Sequence, residues 1–386
     1  MSEQPAPVRP TTSPTPADER SRVLLLVGGR SSEHSISCVS GAAVLDAIDR
    51  DRWDVVVVGI DRDGGWHHLP ADAAPLRLVD GVLPQVDASA PSAWLAPLRG
   101  GARLLAGDTT AAHDLGPVDV ALPLLHGPWG EDGTVQGLLE TYGVRYAGSG
   151  VLASAVGMDK AAMKATLAAH GVPIGAYEVV HDGEWRLGRE RVLSRLEFAL
   201  ELPVFVKPAR AGSSMGITKV EAWPRLAAAI DTAREHDPQV VVEQGISGRE
   251  IECGVLGGGP DDRARASVCA EIVVRDGRAF YDFEAKYLAE GEAVDLVVPA
   301  ELEPALQAQL RDLAVRSFEA LGCEGLARVD FFVPDGASPL VNEVNTMPGF
   351  TPTSMYPRMW SASGVAYGEL LDTILQLALE RPLGLR

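Results

Sequence analysis

The chain has 386 residues, 46% of them hydrophobic and 23% charged, with a formal net charge of -19. That length exceeds one ordinary core and predicts roughly two or three domains of globular composition. The acidic balance argues against nucleic acid, which wants a basic face, yet leaves room for a small anion held by local cations and backbone N–H groups.

In chain order, residues 1–20 (MSEQPAPVRPTTSPTPADER) are rich in Pro, Thr and Ser and predict a disordered tail. They hold no apolar run of the kind a secretory signal needs, and no apolar stretch in the chain approaches the roughly 18 residues that span a bilayer. The cysteines Cys38, Cys253, Cys269 and Cys323 are scattered, without C-x-x-C spacing, and read as reduced, mostly buried thiols. A cytoplasmic protein without a membrane partner is expected.

"RVLLLVGG", "SSEHSISCVSGAAVLDAI" and "WDVVVVGI" follow as strand, glycine turn, helix and strand. This βαβ unit predicts a Rossmann-like parallel sheet for residues 21–149. Residues 64–117 are rich in Pro, Gly and Ala and weakly periodic, so they are expected to decorate that domain as strands and loops. Within them "WHHL" carries His67 and His68, which point to opposite strand faces and read as structural rather than as a metal site. "VDVALPLLHGPWGEDGTVQGLLETYG" restores strand, Gly-rich loop and helix.

A second unit, 150–243, opens with "MDKAAMKATLAAHGVP", a helix closed by Gly171 and stopped by Pro173. "PVFVKPARAGSSMGITKV" reads as a strand ending at Lys207, a Gly/Ser loop through Ser213 and Ser214, and another strand. With no helix after that loop and no G-x-x-x-x-G-K-[ST], a Walker-type site is not expected. The loop could instead fold as a flap over phosphates, with Lys160 and Lys207 in reach; an idle Gly-Ser hairpin and a surface lysine are the plainer readings. "VVVEQGISGREIECGVL" gives two strands around a turn, with Glu243 and Glu250 placed to meet a base edge and ribose hydroxyls.

The last unit, 244–386, holds a helix in "EPALQAQLRDLAVRSFEALG" and a hairpin of "LARVDFF" and "LVNEVN". Pairing Val333 with Leu340 sets Asp330 opposite Glu343 and Arg328 opposite Asn345. Two carboxylates and an amide oxygen make a hard, all-oxygen set suited to magnesium, which shares its remaining sites with water and phosphates. A surface ion-pair cluster is the alternative from the hairpin alone.

"GGRSSEHSIS", "LHGPWGEDG", "MDK", "VKPARAGSSMGI", "FYDFEAKYL", "ARVDFF" and "NEVNTMPGFT" occur in an order that resembles the D-alanine–D-alanine ligases, from about Val23 to the C-terminus. The resemblance implies the ATP-grasp fold, a mixed α/β architecture with a Rossmann-like domain before two nucleotide-clamping subdomains. It also implies a reaction: ATP phosphorylates one D-alanine, and the amine of a second attacks the acyl phosphate. Asp330, Glu343 and Asn345 would hold two magnesium (or manganese) ions, while Lys160, Lys207 and Lys286 would reach the nucleotide phosphates. Ser213 and Ser214 would sit in the flap, with Glu243 and Glu250 serving adenine and ribose. Arg328 and the N–H of Gly349 would stabilise an oxyanion. Glu33 would bind the first ammonium, His126 would lie near that substrate's carboxylate, and Ser354 would contact the second carboxylate.

The same resemblance makes "FYDFEAKYLAEGEAVDL" a loop that closes over the reactants, with Tyr287 reaching towards Glu33 and Ser213. Tyr287 is the amide-forming pattern, which favours D-alanine over D-lactate as second substrate. It further implies a homodimer. A nucleotide-binding regulator and a periplasmic-type binding protein are the readings from other classes; no metal ligand or closing-loop lysine is missing, which speaks against the first.

Overall fold

In the computed structural model, residues 20–108, 110–212, 215–259, 262–274 and 294–383 are described. The first unit is built on β1 (Ser21–Gly28), β2 (Trp53–Ile60), β7 (Val120–Pro123) and β8 (Arg145–Tyr146), with α1 (His34–Ala47) and α2 (Thr134–Thr141) between them. β1 pairs in parallel with β2 and β7, and β7 with β8. Val23 to Val27 of β1 are fully buried. A central parallel strand covered on both faces requires such an unbroken apolar run.

Residues 64–117 do more than decorate. They supply β3 (Trp66–Leu69), β4 (Ser92–Leu98), β5 (Gly101–Gly107) and β6 (Ala112–Val118). All four prolong the sheet in antiparallel fashion, giving eight strands in the order β6-β5-β4-β3-β2-β1-β7-β8. The expected parallel sheet is therefore only one half of it, β2-β1-β7-β8. Along β5 the apolar residues Ala102, Leu104 and Ala106, two of them small, are buried and alternate with half-exposed neighbours, a period of two that low hydrophobic contrast conceals in the sequence.

The middle of the chain gives α3 (Val151–Met158), α4 (Lys160–Ala169), β9 (Tyr177–Val180), α5 (Asp182–Ala199), β10 (Val204–Pro208), β11 (Thr218–Val220), α6 (Leu226–Arg234) and β12 (Val240–Gln244). Its strands form an antiparallel sheet in the order β11-β10-β12-β9. Asp159 caps α4 by accepting from Ala161 and Ala162 N–H, both at 3.0 Å. Gly171, at φ +69°, lets the chain turn away after the helix.

A second antiparallel sheet, β15-β14-β13-β16-β17, is formed by β13 (Arg249–Leu256), β14 (Arg265–Val274), β15 (Val294–Val297), β16 (Leu326–Val333) and β17 (Leu340–Asn345). The strands on either side of the Gly245–Gly248 turn thus belong to different sheets, β12 to one and β13 to the other. Helix α7 (Pro304–Leu321) covers the far face of this sheet, and Met163 and Leu167 of α4 join the same core.

The last helices, α8 (Met355–Ala362) and α9 (Tyr367–Glu380), return to the first unit. Trp360, Leu370 and Ile374 share a core with Val23, Leu25 and Val57. Arg381 fastens this return, donating to Gly148 O at 3.1 Å and to the Tyr146 hydroxyl at 3.0 Å, with Glu324 at 3.0 Å and Glu140 at 3.6 Å. Replacing Arg381 by Met would strand these carboxylates around a buried apolar chain. We expect a loss of about 3 kcal/mol, read as a lower urea midpoint; an unchanged midpoint would show that the ion pairs do not hold the joint.

Candidate active site

The two antiparallel sheets and the glycine loops of the first unit enclose a cavity of about 790 Å³. Glu33, His126, Lys160, Lys207, Glu243, Glu250, Arg328, Asp330, Glu343, Asn345, Gly349 and Ser354 all line it. Ser213, Ser214, Lys286 and Tyr287 lie outside the described residues.

The hairpin supplies the acidic wall. Asp330 pairs with Glu343 and Arg328 with Asn345, as the alternation predicts. Towards the turn the register differs: Phe332, not Val333, faces Leu340, because a bulge at Asn342 inserts one extra residue. Asn342 and Glu343 both line the cavity as a result.

Arg328 grips Asp330 in a fork, with Nε to Oδ1 and Nη2 to Oδ2 both at 2.7 Å, and Glu252 stands 3.4 Å away. Burial opposes the arginine's charge, but Asp330, Glu252 and Glu343 outweigh it and lift its pKa well above the ordinary value. Asn345 donates Nδ2 to Asp330 Oδ2 at 3.0 Å, fixing the amide beside the carboxylates. Among the described residues no cluster of three or more His, Cys, Asp and Glu forms a metal cage. Two carboxylates and an amide suit a hard dication that completes its shell from a phosphate-bearing substrate.

The basic wall comes from the other sheet and from α4. Lys207 donates to Glu243 Oε2 at 2.8 Å across the β10–β12 pair. Lys160 donates to Ala211 O at 2.8 Å, at the root of the Gly/Ser loop. Lys164, one turn along α4, places its buried ammonium 3.3 Å from Glu243 Oε1. Burial lowers the pKa of Lys160 and of Lys164. It works against Lys207 too, but the shorter contact with Glu243 and the nearby Glu343 and Glu250 raise that lysine's pKa. Glu243, which burial alone would push up, is drawn down to about 2 by Lys207 and Lys164.

The first unit closes the cavity at its other end. Glu33 occupies the position before α1 without capping it. Its carboxylate lies between two glycines, because a Cβ on either Gly127 or Gly212 would come within 3.1 Å of Oε2. The absence of side chains at both positions eases the approach of loop and flap to the acid. Met347, just past β17, is held at both ends of its backbone: its N–H donates to Glu131 Oε1 at 3.0 Å and its C=O faces His126 Nδ1 at 3.0 Å. Glu131 also accepts from Gly127 N–H at 2.6 Å. Its pKa is pushed up to about 8, first by burial and then by Glu33. Burial lowers that of His126.

Gly349 is tight against Ser354, whose Oγ would lie 3.2 Å from an added Cβ. Ser354 Oγ in turn accepts from Thr351 N–H at 3.1 Å. The hydroxyl is thus one structural reason for glycine at 349. Sequence reasoning missed Glu131 and Lys164. Glu131 stands inside a quoted motif, and Lys164 follows Lys160 by four residues on an otherwise apolar face between Met163 and Leu167.

The crystal structure of the VanG D-Ala:D-Ser ligase from Enterococcus faecalis is similar over 93% of this chain and 99% of that one, with TM-score 0.78 and 32% identity. The fold is that of the ATP-grasp class. Family models described as the D-ala D-ala ligase N-terminus and C-terminus match residues 22–149 and 166–376. The D-alanine–D-alanine ligase of Nocardia farcinica (strain IFM 10152) is 53% identical over 95% of this chain and 99% of its own length. That of Paenarthrobacter aurescens (strain TC1) is 50% identical over 97% and 100%. The chain belongs to the D-alanine–D-alanine ligase family.

The depressed pKa of Glu243 sets an acid limit on the cleft. The stabilisation is complete above the ordinary value of 4.5 and is lost as pH falls from there towards about 2. On the order of 3 kcal/mol is at stake. Denaturation midpoints measured across that window should fall more steeply for the native chain than for Glu243→Gln; parallel curves would show that the lysines do not hold this carboxylate.

Proposed function

We propose that this protein joins two molecules of D-alanine at the expense of ATP, giving D-alanyl-D-alanine, ADP and phosphate for peptidoglycan precursors. The observation that carries this reading is the cleft in which the half-buried Lys160 and Lys207 face a hairpin of carboxylates, in a chain at least half identical to D-alanine–D-alanine ligases. A carboxylate is a poor electrophile because its leaving group is oxide. Attack by a carboxylate oxygen on the γ-phosphorus releases ADP and leaves an acyl phosphate. The amine of the second D-alanine then forms the C–N bond, phosphate departs with the C–O electron pair, and the ammonium proton passes to solvent or phosphate.

Each group has a task in this scheme. Lys160 and Lys207 neutralise nucleotide phosphates, with Lys286 joining them, and Ser213 and Ser214 offer hydroxyls from the flap. Glu243 and Glu250 receive the adenine and ribose at the end of the cavity where Phe205, Ile217 and Phe332 supply apolar walls. Glu33, shielded between Gly127 and Gly212, takes the first ammonium. His126 stands by that substrate's carboxylate, and Ser354 by the second one. Arg328 and the N–H of Gly349 meet the oxyanion of the tetrahedral intermediate, where fixed donors act most strongly. Tyr287, from the closing loop, joins Glu33 and Ser213 and helps exclude water from the acyl phosphate.

Asp330, Glu343 and Asn345 would hold two magnesium or manganese ions, which when bound offset the charge on the transferring phosphoryl group. We further propose a cytoplasmic homodimer; among the described residues no helix is long and apolar enough to cross a membrane. The likeness to a D-Ala:D-Ser ligase at 32% identity keeps D-serine, beside D-lactate, as a rival second substrate. The relatives at 50% and 53% identity and the tyrosine at position 287 favour D-alanine.

The test is ADP release with ATP and magnesium, run with D-alanine alone, L-alanine alone, and D-alanine plus D-lactate or D-serine, with products weighed by mass spectrometry. D-alanine alone should yield the dipeptide. A depsipeptide or a D-Ala–D-Ser product as the main species would overturn the substrate choice, and no ADP release would overturn the reading. Glu343→Gln should keep its melting temperature while losing turnover roughly 100-fold or more; near-normal ADP release would remove Glu343 from the metal set.

A further inference from the structure

Lys164 has no task in the scheme above, yet it is 2% exposed. An ammonium is removed from water at a high cost unless a specific partner offsets it. Here the partners are Glu243 Oε1 at 3.3 Å and the ring of Tyr177, whose centroid lies 5.8 Å away. Lys207 takes the other oxygen of the same carboxylate at 2.8 Å. Glu243 is therefore flanked by ammoniums from two separate elements: Lys207 of β10 hydrogen-bonds one oxygen, and Lys164 of α4 stands at ion-pair distance from the other. A single ammonium would leave the carboxylate free to turn about its side-chain torsions; two fix its plane.

The placement of the three groups differs in a telling way. Glu243 and Lys207 line the large cavity, whereas Lys164 does not. It lines only a small hollow behind Glu243, beside Gly175, Ala176, Gln244 and Ile246. Whatever Lys164 does for a ligand in the cavity, it does through Glu243. Around that carboxylate the cavity is walled by Phe205, Ile217, Ile246 and Phe332, a slot suited to a flat base.

We infer that Lys164 is a positioning residue for nucleotide selection: it fixes Glu243 as a rigid acceptor for the exocyclic amino group of adenine, so that 6-amino purine nucleotides are taken and 6-oxo purine nucleotides refused. The inference rests on the ATP reading above. An ionised carboxylate only accepts hydrogen bonds, and it meets an oxo group with repulsion instead of a bond. The low pKa of Glu243 agrees with a carboxylate that stays ionised through the working range.

The experiment uses the full-length enzyme, D-alanine, and ATP or inosine triphosphate as the phosphoryl donor. Lys164→Met should raise the KM for ATP and lower the ATP-over-ITP preference in kcat/KM, each by roughly tenfold, as expected for a charge-assisted hydrogen bond. The KM for D-alanine should not move, and Lys164→Arg should restore most of the preference. Lys164→Gln, which keeps a donor without the charge, serves as the second variant and should shift the preference in the same direction by less. In a Glu243→Gln background, Lys164→Met should change the preference no further. A lower melting temperature with the ATP-over-ITP ratio intact would assign Lys164 to stability alone and overturn the inference, as would additive effects of the two changes. Absence of ADP release from the unmodified enzyme would instead overturn the ATP reading itself.

Discussion

Four cations and their carboxylates, some buried and the rest half-buried, crowd together where the two antiparallel sheets meet, and the surrounding structure makes that arrangement tolerable. Lys160, Lys164, Lys207 and Arg328 face Glu243, Glu252 and Asp330. Each buried ion costs several kcal/mol in lost hydration, so the set persists only with near-ideal contacts and rigid walls. Strand β16 shows how the walls are made. Val329, Phe331 and Val333 point into the core shared with α7, and their alternate neighbours Arg328, Asp330 and Phe332 point to the cavity. The apolar half of each strand thus holds the polar half at fixed depth, and the donors need little reorganisation when charge develops on a ligand.

Such a cleft is useful only if groups from separate units meet to within a fraction of an ångström, and the joints meet that need with backbone contacts. The loop from His126 to Glu131 takes both polar groups of the Met347 peptide, which fixes the chain immediately before Gly349. Glu33 lies close enough to Gly212 of the flap that an added Cβ would come 3.1 Å from its Oε2, a tight contact. The return of α9 to the core of β1 and β2 makes the first unit and the last share one hydrophobic body. Displacing any one joint therefore moves groups that belong to more than one unit, and the effective molarity of the reacting ends depends on all of them.

Much of this was legible in the chain where physics leaves a periodic trace. The glycine turn after "RVLLLV" and the alternation in "ARVDFF" and "NEVN" follow from strand geometry, and they place Asp330 opposite Glu343. The slip of one residue nearer the turn had no such trace, since a bulge at Asn342 changes register without changing composition. Residues 64–117 hid their four strands because small apolar residues such as Ala102 and Ala106 give little contrast between faces. Lys164 and Glu131 were illegible for another reason. Their partners are protein groups brought near by the fold, Glu243 in one case and the backbone of Gly127 and Met347 in the other, and no local pattern marks a lysine or glutamate that will be buried.

The formal charge of -19 and the proposed site for a polyanionic nucleotide are reconciled by distance. Exposed charges are screened beyond about 8 Å at physiological ionic strength, so the acidic surface is felt weakly inside the cleft. The enclosed lysines, in a medium of lower dielectric, act over a few ångströms with far less attenuation. A long nucleic acid must lie along the outer surface and meets its repulsion over many phosphates. On the proposed reading a mononucleotide would bury its few phosphates near Lys160 and Lys207, which line the cleft, and leave the surface behind. The same charge balance that disfavours the large polyanion is therefore compatible with the small one, and the enclosure of Lys160 and Lys207 within the cleft is what separates the two.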